Sequence, residues 1–199
     1  MTSVAAPPIP EPQTRAPYEN WRPPIIGVSV LAPVGATGLI LACMPGGTPV
    51  LPTGAVENGH SPEEAAQAVL TGLPGGLPIR RQVAVSQVQM RRRKVITHLI
   101  GTAPLAAQDA DLLIYRDVRA EVRVLSTDHA VAALPQKARA RVLLGLQALA
   151  IGAMVYVRDG EIQRIDSVPA HQSMPRGVMA RVPESNRAHA AGRTREGMA

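Results

Sequence analysis

Glu57, His60, Glu63 and Glu64 stand close together in the chain, and these are the residue types that move protons or hold hard cations. A histidine titrates near neutrality and can serve as a base or a ligand, and carboxylate oxygens are what magnesium prefers. Glu64 has another use. Ser61-Pro62-Glu63-Glu64 sets a hydroxyl at an N-cap, a proline at the first helical position and Glu64 where its side chain closes a capping box. Glu63, in the first turn, is stabilised by the helix dipole. Glu57 and His60 are then left as catalytic candidates, although a histidine just ahead of an N-cap is commonly a solvated loop residue. His98 is a third candidate. It alternates with apolar neighbours in Val95-Ile96-Thr97-His98-Leu99-Ile100, where the alternative is an interior histidine satisfied by a neighbour. No second His or Cys stands at metal-ligand spacing.

The basic side chains offer a different chemistry. Arg80 and Arg81, together with the corner Arg91-Arg92-Arg93-Lys94, could bind an anion, though a charged turn is usually just solvated. Aromatic residues do not interleave with these arginines, so a nucleic-acid partner is not expected. In Tyr115-Arg116-Asp117 and Arg119 a local ion pair is the expected use. The sequence has no phosphate-cradling P-loop and no dinucleotide fingerprint, and it gives no ground to assert a Ser-His-Asp or Cys-His arrangement.

The stretch Leu51-Pro52-Thr53-Gly54-Ala55-Val56-Glu57-Asn58-Gly59-His60-Ser61-Pro62-Glu63-Glu64-Ala65-Ala66 resembles the start of a Nudix box, the signature of a family of magnesium-dependent pyrophosphate hydrolases. Carried along from Gly54, the family's pattern places its first Glu at His60, its Arg at Ala68, its next Glu at Val69, its Glu pair at Gly72 and Leu73, and its closing glycine at Gly75. Every charged signature position has lost its residue. In the family three glutamates on one helical face form the metal site; here that face is expected to be Val69, Gly72 and Leu73, so no magnesium and no other cofactor is expected. Gly54, Gly59, Pro62, Glu64, Ala65, Ala66 and Gly75 keep the scaffold. The resemblance implies an α/β fold, a Nudix-like α/β/α sandwich with a mixed sheet, and it makes a homodimer an implication as well.

The elements that must position these residues follow from pattern. Ile25 to Leu31 and Leu39 to Met44 read as strands joined in a hairpin. A helix is expected from Pro62 to about Thr71, stopped by Gly72 and Pro74. Strands follow at Gln82 to Gln89, Val95 to Gly101 and Ala120 to Leu125, and helices at Asp128 to Leu134 and Gln136 to Ile151. Asp159-Gly160 predicts a terminal hairpin. Residues 1–23 are Pro-rich and polar and 166–199 are basic, so both are expected to be disordered arms, with Tyr18 and Trp21 docking the first. The domain is expected over 24–165.

Among 199 residues, 21 Lys and Arg face 15 Asp and Glu, a net charge of +6. That excess suits anionic partners, but Ala and Arg richness could equally reflect a high-GC genome. Cys43 lies in an apolar run and is expected to be a buried thiol. Met1 to Pro10 lacks the pattern of a signal peptide, apolar runs are too short to span a bilayer, and a cytoplasmic protein is the default.

The expected function is therefore that of a catalytically degenerate Nudix-like domain acting by binding, either sensing an anionic small molecule or docking a partner protein. Its ligand candidates are Gly54, Glu57, His60 and Glu64 around the helix start. Arg80, Arg81, Arg91, Arg92 and Arg93 supply the charge. The alternatives are an enzyme of altered, metal-independent chemistry using His60 or His98, a residual hydrolase of nucleoside diphosphate derivatives, and an interaction protein whose arms recruit partners. Both small-molecule readings require an open groove beside Gly54 to Ser61.

Overall fold

A computed structural model describes residues 22–167. The docking of Tyr18 and Trp21, and nearly all of the two expected arms, lie outside the described residues. In chain order the elements are β1 (Ile25–Leu31), β2 (Pro33–Val34), β3 (Gly38–Cys43), β4 (Thr53–Ala55), α1 (Pro62–Val69), β5 (Leu70–Thr71), β6 (Ile79–Met90), β7 (Arg93–Thr102), α2 (Ala107–Ala110), β8 (Ile114–Tyr115), β9 (Glu121–Ser126), α3 (Thr127–Ala133), α4 (Gln136–Ile151), β10 (Ala153–Arg158) and β11 (Glu161–Ser167).

Six strands form the main sheet in the order β11-β10-β6-β7-β1-β4. It is mixed: β1 runs parallel to β7 and β10 parallel to β6, while the remaining neighbours are antiparallel. Helices lie on both faces, which gives the expected α/β class. On one face Ala65, Ala66 and Val69 of α1 pack with Val28, Val30 and Ile100. On the other, Val142, Ala148 and Leu149 of α4 pack with Leu31, Val83 and Leu99. Adjacent residues of a strand point to opposite faces, so β7 feeds Leu99 to one core and Ile100 to the other.

The hairpin expected between Ile25–Leu31 and Leu39–Met44 does not form. β1 pairs with β7 and β4, whereas β3 pairs with β2 and β9 in a separate sheet. Pro33 explains the break: it has no N–H to continue a ladder, so the chain leaves the main sheet there. The turn after it is tight, because a side chain at Gly38 would stand 2.8 Å from the Val34 carbonyl oxygen.

The helix at Gln136–Ile151 has its expected bounds and ends where Gly152 takes a left-handed conformation. The terminal hairpin also forms, with Asp159 at φ 51° and Gly160 at φ 95°, both positive as a type I′ turn requires. Strand β11 runs on to Ser167, past the expected boundary at 165. At the basic corner only Arg91 and Arg92 form the turn, and Arg93 and Lys94 already belong to β7.

Candidate functional site

The start of α1 is built as its sequence dictates. The Ser61 backbone N–H donates to the Glu64 carboxylate at 2.8 Å, and the Glu64 N–H donates to the Ser61 hydroxyl at 3.2 Å. The Ser61 N–H first, and then the Ser61 hydroxyl donating to the same carboxylate at 3.1 Å, hold the Glu64 carboxyl below its ordinary range. Glu64 is thereby committed to capping. His60 and Glu57 are exposed on the loop ahead of it, where the His60 N–H donates to the Glu57 carbonyl at 3.1 Å.

The other end departs from expectation. The helix stops at Val69, Leu70 is extended, and Leu70 and Thr71 pair with Tyr115 and Ile114 of β8. Val69, Gly72 and Leu73 therefore do not share a helical face, because only Val69 is helical. Val69 is 1% exposed. Gly72 sits at φ +101°, where an added Cβ would collide with the Leu112 carbonyl, and Leu73 packs partly buried against the α1 core. A buried valine, a left-handed glycine and a packed leucine offer a hard cation no side-chain oxygen. These residues do not fit a magnesium site at the family's positions.

The loop after β8 closes over the same region. Tyr115 Oη donates to the Thr53 carbonyl at 3.0 Å, and the Arg116 N–H donates to the Val69 carbonyl at 3.0 Å. A side chain at Gly54 would meet Val69 Cγ2 at 2.7 Å and Arg116 Nη1 at 2.9 Å. Gly54 is needed because this space is taken, and the groove is filled at its Gly54 end. The expected local ion pair is present, Asp117 with Arg119 at 2.8 Å. The Arg119 guanidinium holds the Asp117 carboxyl down to about 2. The covering role of Tyr115 and Arg116 had no local signal, because it depends on a pairing distant in sequence.

His98 lies on the α1 side of the sheet, half-buried, with Nδ1 2.8 Å from Gln82 Oε1. Gln82 Nε2 lies 3.7 Å from Met154 Sδ. With the amide oxygen facing Nδ1, the proton sits there and Nε2 is left as an acceptor. Burial pushes the imidazole below its ordinary pKa, with Glu63 pulling weakly the other way.

The arginines do not form a single patch. Arg80 and Arg81 lie near the start of β6 and Arg91 to Arg93 beyond its end, roughly 30 Å away along the strand. Arg81 lies against Gly152, 3.3 Å from the position of a Cβ there, at the carbonyl end of α4 that favours a cation. Arg91, Arg92 and Arg93 instead join Arg22 around a shallow concavity of about 390 Å³. A second concavity, about 330 Å³, is lined by residues including Cys43, Arg119, Glu121 and Arg123. Cys43 is buried, and burial pushes its thiol up. Neither concavity touches Gly54 to Ser61. Among the described residues, no helix is long and apolar enough to cross a membrane, and no three His, Cys, Asp or Glu cluster as metal ligands would.

No family model and no curated protein matches the chain. Among solved structures it is similar to the E. coli ORF135 protein, at 16% identity and TM-score 0.49, over 68% of this chain and 95% of that one. It is likewise similar to the MutT protein from Methanosarcina mazei Go1, at 17% identity and TM-score 0.49, over 65% and 95%. A Nudix hydrolase from Nitrosomonas europaea is similar at 14% identity and TM-score 0.46, over 65% and 90%. At these identities the chemistry has to be read from this chain's own side chains.

Proposed function

We propose that this chain is a Nudix-like domain that works by binding and does not catalyse magnesium-dependent cleavage. The observation that carries this reading is the end of α1. Val69 is part of the core and Gly72 is held in a conformation only glycine adopts cheaply, so the family's carboxylates could not be restored there without disturbing the fold. The nearest carboxylates have other settings, Glu64 in the capping box and Glu57 in solvent. With Arg116 and Val69 over Gly54, Gly54, Glu57, His60 and Glu64 are a poor enclosure for a small molecule. Binding of an anion or of a partner protein then falls to other surfaces, and the arginine-lined corner is the natural one for an anion. We place such a protein in the cytoplasm. The test is a magnesium- and manganese-supplemented hydrolysis screen with nucleoside diphosphate derivatives. No turnover is expected; turnover abolished by Glu57→Gln or Glu64→Gln would overturn the reading.

One observation favours a second reading, an enzyme of altered chemistry. His98 is polar-partnered by Gln82, with Glu63 near enough to raise its proton affinity. Any turnover found when the screen is repeated with a chelator in place of metal should then disappear in His98→Gln; its survival would exclude this residue.

A further inference from the structure

We infer that Arg22, Arg91, Arg92 and Arg93 form a receptor for an oligophosphate, a small ligand with adjacent phosphate groups. The inference rests on the binding reading above and gives it a site and a ligand class. The site is assembled by the backbone: the Arg22 N–H donates to the Arg92 carbonyl at 3.0 Å, which brings the chain ahead of β1 onto the β6–β7 turn. Among the described residues, all the lining side chains of the resulting concavity are arginines.

Three arginines elsewhere on the surface are neutralised by acids two residues away. Arg119 holds Asp117, Arg123 holds Glu121 and Arg164 holds Asp166, each within 2.9 Å. Near the corner, Asp159 accepts the Gln89 N–H at 2.8 Å. Among the described residues no ion pair joins any of the four corner arginines to an acid. Gathering like charges without a counter-charge is unfavourable, and Arg93 Nε adds an orphan, a buried donor with no acceptor. Buried donors are nearly always satisfied, so an acceptor oxygen is what this site lacks.

Phosphate answers the geometry better than carboxylate. Guanidinium forks bind phosphate oxygens in pairs, and a tetrahedral group can take forks from several directions where a planar carboxylate takes one. Four arginines exceed the charge of one phosphate, which carries about two at neutral pH. The volume lies at the small end of ligand sites, and among the described residues the lining has no aromatic platform for a base. A compact oligophosphate fits these limits and a nucleic-acid strand does not.

Titration calorimetry of the full chain with inorganic tripolyphosphate tests this, with orthophosphate and a single-stranded oligonucleotide in parallel. Saturable tripolyphosphate binding is expected, weaker by about tenfold or more in Arg91→Glu/Arg92→Glu. Arg119→Glu/Arg123→Glu carries the same charge change away from the corner and should lose far less. If the first variant melts early, Arg92→Gln, a milder change in an exposed turn, should still weaken binding. No binding, an equal loss in both double variants, or tighter binding of the oligonucleotide would overturn the inference. The hydrolysis screen fails separately: turnover there sinks the binding-only reading while leaving this titration intact, and a silent titration sinks the receptor without making the protein an enzyme.

Discussion

At its N-terminal end α1 keeps every device that starts a helix, whereas its C-terminal end gives up the helix at Val69 and enters a strand pair. The first end is settled within the span from Ser61 to Glu64 by hydrogen bonds. The second is settled by β8, far along the chain. A scaffold signal and a catalytic signal can therefore part company inside one helix, because capping needs only local residues while a metal face needs the helix to continue.

That contrast can be broken from either end, and the far end should respond most. Val69→Glu, which returns a carboxylate to a family position, places a charge in the core and should cost roughly 4 kcal/mol in urea unfolding. A loss under about 1 kcal/mol would show that the site tolerates the acid. Gly72→Ala should cost about 3 kcal/mol, from a left-handed φ and the clash with Leu112 together. At the near end, Ser61→Ala removes only the cap and should cost about 1 kcal/mol in the same assay; an effect as large as that of Val69→Glu would erase the distinction.

The smallest effects are in pH. His98 has its pKa lowered from 6.5 by burial, so the unfolded chain takes the proton first. Stability from His98 is then complete above about 6.5 and is lost as pH falls through that value toward the lower folded pKa. A stability–pH profile of His98→Gln should be flatter in that window. Glu64 is lowered from 4.5 by Ser61, so its contribution is present above 4.5 and fades as pH falls below it, and Glu64→Gln should remove that acid limb.

Much of the fold was legible where local chemistry decides: the capping box, α4 closed by Gly152, and the Asp159-Gly160 turn. What pairs with what was not. Nothing near Leu39 announces β9 as its partner, and the hairpin expectation failed at Pro33, whose missing N–H sends the chain to another sheet. Register assigned Val69, Gly72 and Leu73 to one helical face, but they do not share one, because Gly72 and the Leu70–Tyr115 pairing end the helix sooner. The arginine corner was visible as a charge run; Arg22 was not, since only a backbone bond across the fold brings it there.

The most direct test of the central claim is titration of the full chain with Mn²⁺, read by loss of the free-ion paramagnetic resonance signal. An inert α1 predicts no stoichiometric site and the same curve for the native chain and for Glu57→Gln and Glu64→Gln. One Mn²⁺ bound per chain, released by either substitution, would contradict it.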